Sequence, residues 1–500
     1  MLKFSPILLI AFLSVFSLNL LSGQDFNIQL DGSDDVTLVN NALSGQQEIS
    51  INGENKILNF NNGKAKLDLD YDQSGKLFFV KSSNPKTQKL FHLSKKKNGT
   101  TRSRNIPLWL SLLPPLIAIV LALLFKEVIL SLFIGIWAGA FIAGGLRIES
   151  IYYIFQSFFE VIEKYVIGAL NDGGHLSVIV FSLLIGGMVA IISKNGGMAG
   201  VVASLAKYAK SERSSQFITW LLGVAIFFDD YANTLIVGNT MRSLTDKFKI
   251  SREKLAYIVD STAAPVSAIF FITTWIGAEL GFIDGGLVLL ENYTGPSTPY
   301  AVFLASLKYA FYPILTLIFI LIIIFTNRDY GQMYKAEHRA RTTGQVSPAS
   351  TSDEDEPNME DLSPVKNAPL KWYNAAIPVL TVIFMTIFGL VDTGMASSYD
   401  QLIEGGNNVN TGWGSTWSNM GAISAGDGFF AKLGTLIGNA DSYIALLWAS
   451  LSGVVMAIIL TLSGKIMSLF DTMHWLVNGF KTMLPALIIL TLAWALAIIT

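Results

Sequence analysis

The chain has no cysteine among its 500 residues, so disulfides, thiolate metal sites and cysteine nucleophiles are excluded. Charge is scarce too: Asp, Glu, Lys and Arg make up 14% of residues, against roughly 25% in a soluble globular domain. The four histidines form no ligand-spaced cluster, and His175 and His474, beside apolar segments, read as interfacial hydrogen-bonding residues. A net charge of −2 gives no electrostatic case for nucleic acid as a partner. There is no nucleophile–base–acid arrangement, no phosphate loop after a strand and no metal motif, so neither an enzyme nor a cofactor is expected. What the chain does have is apolar length. Hydrophobic residues make up 51% and gather in runs that suit a bilayer, which takes about 20 helical residues to cross.

Residues 1–23 read as a signal peptide, with Lys3, an apolar stretch from Ile7 to Leu21, and small Ser22 and Gly23; an uncleaved anchor is the alternative. Residues 24–95 alternate like strands, as in Glu48-Ile49-Ser50-Ile51 and Lys66-Leu67-Asp68-Leu69, with Asn-Gly, Asp-Gly and Ser-Gly turns between them. They are expected to form a small exported β-sandwich accessory domain whose partner the sequence does not name. Residues 96–107 read as a basic linker. Apolar spans follow at 108–125, 128–144, 176–193, 216–238, 255–283, 301–326, 372–391, 442–462 and 483–500. Residues 327–371 read as a polar, disordered loop, and 392–440 as a Gly/Asn/Ser/Trp-rich loop with an amphipathic piece near 429–437. Lys and Arg crowd 239–254 and 327–371 and are missing from 284–300, which places the first two in the cytoplasm. Reconciling that with an exported N-terminus requires 151–170 to cross as well, with Glu160, Glu163 and Lys164 facing protein.

The two halves resemble each other. Pro115 to Val120 pairs with Pro378 to Ile383, Lys126 to Gly139 with Ala440 to Gly453, 149–166 with 467–484, and Gly186 to Ser193 with Ala493 to Thr500. This divides the chain into a first repeat with its following helix at 108–326 and a second at 372–500. The second then reads as cut short by about half a repeat.

Phe228-Asp229-Asp230-Tyr231-Ala232-Asn233-Thr234 is the most informative segment. A charge at the bilayer centre costs roughly 2.5–3.5 kcal/mol on insertion scales, so two adjacent carboxylates in an apolar run call for an ion, a proton or a structural partner. Helical spacing sets Asp230, Asn233 and Thr234 on one face, and Asp229 with Asn233; Asn239 follows. Two carboxylates in low dielectric repel and hold protons as a unit, so a proton and a cation compete for the same oxygens. The alternative is that one Asp caps a broken helix and the other pairs with Arg or Lys. Asn195-Gly196-Gly197 suggests a helix break lining a cavity, or a simple loop. Asp260-Ser261-Thr262, Pro265 and Thr273-Thr274-Trp275 suggest an interruption at Pro265 that frees oxygens for a bare cation, or a packed kink. The ion- and proton-binding candidates are therefore Asp229, Asp230, Asn233, Thr234, Ser261, Thr262, Pro265, Thr273 and Thr274, with Na+ on the two aspartates. Asn195, Gly196, Gly197, Tyr231, Asn239, Asp260 and Trp275 would line the site.

These motifs, together with Gly186-Gly187-Met188, Arg242 to Asp246 and Ser251 to Tyr257, make the chain resemble the NhaC-type Na+/H+ antiporter family over about 108–500. The resemblance implies a polytopic all-α membrane protein, an inverted-repeat secondary transporter with broken or re-entrant helices, exchanging Na+ for H+ at the inner membrane. Its expected partners are the lipid bilayer, Na+ and H+; a homodimer is left open. Phe271-Ile272-Thr273-Thr274-Trp275 stands where the family tends to carry a Pro-x-Ser-Thr-Trp run. A Na+-coupled carrier of an amino acid or organic acid is therefore the alternative, with a non-transporting sensor behind it.

Overall fold

The computed structural model describes residues 26–500 apart from 32–34, 53, 70–75, 84–85, 96–100, 148–150, 228–229, 271–272, 274, 289, 291–294, 296–297, 349–363 and 425–427. The expected signal peptide lies outside the described residues. The chain divides into two units, one running to Leu170 and including Ile488–Thr500, the other Asn171–Leu487.

In the first unit, alternation does what it predicts. β1 (Asn27–Asp31), β2 (Asp35–Val39) and β5 (Lys64–Leu67) form one antiparallel sheet in the order β1-β2-β5. β3 (Gly45–Ile51), β4 (Glu54–Phe60), β6 (Lys76–Ser83), β7 (Lys86–Lys95) and β8 (Thr101–Ile106) form a second in the order β4-β3-β6-β7-β8. Inward residues of both sheets, among them Leu38, Ile49, Phe60, Val80 and Leu93, share one core. Asn62 and Gly63, with φ of 50° and 73°, close the turn into β5, where left-handed backbone favours Asn-Gly. The expected basic linker is corrected here. Residues 101–106 are strand β8, paired with β7 from Leu90↔Ile106 to Lys95↔Thr101. The charge-rich composition concealed a strand whose end residues, Thr101 and Ile106, are buried.

A single 3-10 turn (Leu108–Leu112) leads from β8 into α1 (Leu113–Phe125), and α2 (Val128–Ala143) packs against α1 so closely that a Cβ at Gly135 would lie 2.8 Å from Pro114 O. Arg104 of β8 donates to Gly145 O and Leu146 O at 2.6 and 2.7 Å, a charged donor on carbonyls just past the end of α2. α3 (Ile151–Glu160) runs on through a π turn (Val161–Val166) into α4 (Ile167–Leu170). It is fastened to α2 where Trp137 Nε1 donates to Ser157 Oγ at 3.2 Å.

The second unit is helical. α5 (Gly173–Lys194) is capped by Asp172, whose carboxylate accepts from His175 N at 2.9 Å, and is buried along its C-terminal half. α6 (Gly197–Ala206), α7 (Glu212–Ala225), α8 (Asp230–Lys247), α9 (Arg252–Ser267), α10 (Ile276–Val288), α11 (Pro299–Ser306) and α12 (Phe311–Thr326) follow. Then come α13 (Gly331–Thr343), α14 (Tyr373–Glu404), α15 (Trp413–Asn419), α16 (Phe429–Gly438), α17 (Ser442–Ser463) and α18 (Leu469–Ile499). Gly186 and Gly187 let α18 approach α5 at backbone distance: a Cβ at Gly186 would sit 2.9 Å from Gly479 O, and one at Gly187 2.7 Å from the Phe480 ring. Small residues at such crossings are how helices pack where water supplies no driving force. Among the described residues six helical stretches are long and apolar enough to cross a membrane, so the chain is a multi-pass membrane protein.

Several readings change. The 216–238 run is two helices, α7 and α8, rather than one span. α14 absorbs the first part of the expected 392–440 loop, and α18 begins well before the expected 483. The repeat blocks 467–484 and 493–500 consequently lie on one continuous helix, while their first-half partners lie on separate ones. Residues 331–343 of the expected disordered loop form α13, because its polar residues have buried partners. Glu337 is fully buried and accepts from Ser251 N and Oγ at 2.7 and 2.6 Å, and Lys254 Nζ meets Asp329 Oδ1 at 2.6 Å. Arg341 binds Glu212 and lies 3.3 Å from Glu337, and Arg339 contacts Glu253 at 2.9 Å. These bonds tie the starts of α7 and α9 and the end of α12 to α13.

His92 on β7 is buried, and burial first, then the charges of Arg147 and Arg104, push its imidazole down to about 4. Above the unfolded value of 6.5 it is neutral in both states, and its stability contribution is complete. Between 6.5 and 4 only the unfolded chain takes up the proton, so stability falls with pH. The thermal midpoint in detergent is expected to drop by a few degrees more between pH 7 and pH 4.5 in the wild type than in His92→Gln; equal drops would contradict this assignment.

Candidate functional site

α7 begins in a capping box, with Ser211 Oγ accepting from Ser214 N at 3.2 Å, and its last turn closes where Ile226 N bonds Leu222 O at 2.9 Å. The chain then turns and α8 runs back beside α7. Asn233, one turn into α8, donates to Gly223 O near the end of α7 at 2.8 Å. At the far ends, Glu212 of α7 pairs with Arg341, while Asp246 of α8 meets Arg252, at the start of α9, at 3.5 Å. α7 and α8 are therefore a helical hairpin, with Asp230 at the start of its second arm. Asp230 opens α8, where the helix dipole favours a negative charge, and its Oδ1 is shielded from solvent. Asp229 lies outside the described residues, as do the side chains of Tyr231 and Asn239.

Asn233 is completely buried. Besides Gly223 O, its Nδ2 reaches Thr262 O at 3.4 Å, and its Oδ1 has no hydrogen-bond partner among the described residues. Leaving a buried acceptor unpaired costs about 1–3 kcal/mol, which makes Asn233 Oδ1 a candidate ligand atom. Thr262 is also fully buried, with Oγ1 donating to Ile258 O at 2.8 Å and packed against Gly223, where a Cβ would overlap it. Thr234 is exposed on α8, so the structure does not bring it to Asn233. Asp260 is exposed as well, while Ser261 and Pro265 are buried in the last turns of α9.

The second interruption falls later than expected. α9 continues through Pro265 to Ser267, and Ala268 N still bonds Ala264 O at 3.0 Å. Lacking an N–H, Pro265 leaves Ser261 O without its i+4 donor but does not end the helix. α10 begins at Ile276, and between the two helices buried Thr273 donates through Oγ1 to Ser267 O at 2.9 Å and accepts from Trp275 N at 3.2 Å. Thr274 lies outside the described residues; Trp275 is partly exposed. The two breaks meet. Ser267 Oγ donates to Phe227 O at 3.4 Å, and the Phe227 and Phe270 rings stack at 4.6 Å. Beside them, Phe227 and Thr273 share a cavity of about 10 Å3 with Phe181, Ile185 and Val382. That is room for about one water-sized occupant.

Asn195, Gly196 and Gly197 form a different junction. Asn195, fully buried, donates to Thr461 Oγ1 at 2.9 Å and accepts from Gly197 N at 2.9 Å. Gly196 takes φ of 81°, and a Cβ at Gly197 would lie 2.6 Å from Ala375 N. Here glycine serves close approach to the start of α14. Gly223 and Ser267 join the site without having been singled out; nothing in an apolar run marks Gly223.

Residues 268–500 match the model of the Na+/H+ antiporter family. The match takes in the second interruption and everything after it, and begins beyond Asp230 and Asn233. The family is one of transporters, which sets the chain apart from enzymes. An uncharacterized protein of Haemophilus influenzae is 26% identical over 387 residues, 77% of this chain and 66% of that relative, so the match spans just under two thirds of the relative's length. No solved structure matches.

The close contact of α7 with α9 yields a prediction. Gly223→Ala forces a methyl group into Thr262, an overpacking worth about 1–3 kcal/mol, and is expected to lower the thermal midpoint of the purified chain. An unchanged midpoint would contradict the contact.

Proposed function

We propose that the chain is a secondary transporter exchanging Na+ for H+, with its ion site where the turn of the α7–α8 hairpin meets the α9–α10 break. The observation that carries this reading is the junction itself: two interrupted helices joined by Ser267 and Phe227, with Asp230 opening α8 and Asn233 Oδ1 buried nearby. Broken helices with ionisable groups at the break are how secondary transporters build cation sites. Na+ is a hard ion served by carboxylate, amide, hydroxyl and carbonyl oxygens. Asp229, Asp230 and Asn233 supply the first two kinds; Thr262, Thr273 and the carbonyls freed at the breaks supply the rest.

In this reading the hairpin enters the membrane and returns on the same side. The ion-pair network of Lys254, Asp329, Glu337 and Arg341 is cytoplasmic, by the positive-inside tendency. The chain sits in the inner membrane with the β-domain in the periplasm.

In inverted vesicles carrying a preformed ΔpH, added Na+ is expected to collapse the gradient. Asp230→Asn should reduce that response at least about a hundredfold, as loss of an essential ionisable group does. Saturable uptake of a labelled amino acid or carboxylate, with no Na+-dependent proton movement, would overturn the proposal in favour of a solute carrier.

A further inference from the structure

Glu279 stands in the first turn of α10, where its backbone N bonds Trp275 O at 3.0 Å. Trp275 N in turn bonds Thr273 Oγ1, Thr273 holds Ser267 O, and Ser267 holds Phe227 O. A chain of hydrogen bonds thus runs from Glu279 to the junction of the two breaks. Its neighbours on α10 are core residues: Ile276 and Leu280 are fully buried, and Ile283 packs against the same apolar cluster. At i−3 and i+4, Ile276 and Ile283 lie on the same helix face as Glu279. The carboxyl group has no counterpart on that face. Its Oε2 is shielded from solvent without a hydrogen-bond partner, and among the described residues Glu279 makes no ion pair. Of the helices packed against α10, α5 carries ionisable groups only at its ends, His175 and Lys194 with Asp172 as cap, and α11 carries Tyr300 and no charge. Asp284, on α10 itself, lies with Asp172 and Asp441 near Tyr443.

We propose that Glu279 is a second proton-binding residue of the exchange, separate from Asp230: it holds a proton while the junction is free of sodium and releases it to water when the ion binds. The inference rests on the antiport reading above. A carboxylate with a dry oxygen and no cation beside it is costly, and a group so placed takes up a proton and becomes neutral. A carboxylate already paired with Lys or Arg would stay ionised and have no proton to give; Glu279 has no such partner. A sodium ion entering low dielectric one helical turn away supplies the missing positive charge and favours ionisation. The O–H bond then breaks, the proton leaves to water, and the carboxylate left behind offsets the charge of the ion. Glu279 is covered only in part, which leaves the proton a way out.

The test uses the full chain, purified in mild detergent and kept in weakly buffered solution at neutral pH. Sodium chloride is added, with choline chloride as the control; an indicator dye reads released protons and radioactive sodium reads bound ions. Wild type is expected to release protons as it binds sodium. Glu279→Gln, which copies the shape of the neutral acid, should still bind sodium but release about half as many protons per ion, as when one of two linked groups is removed. Equal release per bound ion by wild type and Glu279→Gln would overturn the assignment and leave the antiport reading standing. Loss of sodium binding in folded Glu279→Gln would overturn it too, since the residue would then be a ligand of the ion. No sodium binding by wild type would overturn both readings. A second measurement needs no variant: dicyclohexylcarbodiimide adds to protonated carboxyl groups in apolar surroundings, and peptide mass mapping of wild type should find Glu279 modified without sodium and protected with it. No modification at Glu279, or modification indifferent to sodium, would overturn the proposal.

Discussion

Hydrocarbon offers no hydrogen bond to a peptide group, so a helix that stops inside an apolar run must have its freed carbonyls and amides taken up by the protein. That constraint organises the second unit. α7 stops at Ala225 and α9 at Ser267, both within runs apolar enough to have read as uninterrupted spans. Thr273 takes the carbonyl of Ser267, Ser267 that of Phe227, and Asn233 that of Gly223, so the first break is closed by side chains of α9 and α8 and the second by one of its own. The cost of breaking the helices is offset locally.

Such a junction works only if its supports are rigid. The opposite ends of α7, α8 and α9 are fixed by ion pairs to one another and to α13. Glu337 accepts two hydrogen bonds from Ser251, and Lys254 is 1% exposed against Asp329. Removing one partner of a buried pair is costlier than the pair is worth, about 3–5 kcal/mol, so the network specifies an arrangement more than it adds stability. The hairpin turn is thereby aimed from a fixed base, as α9 is. On its other side, Gly186 and Gly187 let α5, which lines the small cavity, pack directly on α18.

Much of this was legible in the residues. Strand alternation foretold the two sheets, and apolar runs located α1, α2, α5 and α17 closely, while the 301–326 run holds α11, a 3-10 turn and α12. The aspartate pair drew attention to the start of α8. What escaped had physical reasons. A helical hairpin buried in apolar surroundings has the composition of a single span, so 216–238 hid its turn. Pro265 looks like a breaker, but in the last turn of a helix a missing N–H costs little and the chain runs on to Ser267. α13 looks disordered because polarity is the usual mark of a solvated loop. Its carboxylates and guanidinium groups are instead matched by Ser251, Lys254 and Glu212, far away in sequence. Strand β8 was obscured by Arg102 and Arg104, which lie between its buried ends. Asn195 and the glycines after it carry the composition of a cavity lining, yet they serve close packing against α14, a distinction only three-dimensional contact reveals.

The central claim is that sodium and protons compete for oxygens at the meeting of the two helix breaks. The most direct measurement is equilibrium binding of radioactive sodium to the purified full chain as a function of pH. The account predicts that apparent affinity falls on the acid side, approaching about tenfold per pH unit where one proton excludes one ion, and that Asp230→Asn abolishes binding. Sodium binding that is constant from pH 5 to pH 9, or that survives in Asp230→Asn, would contradict it.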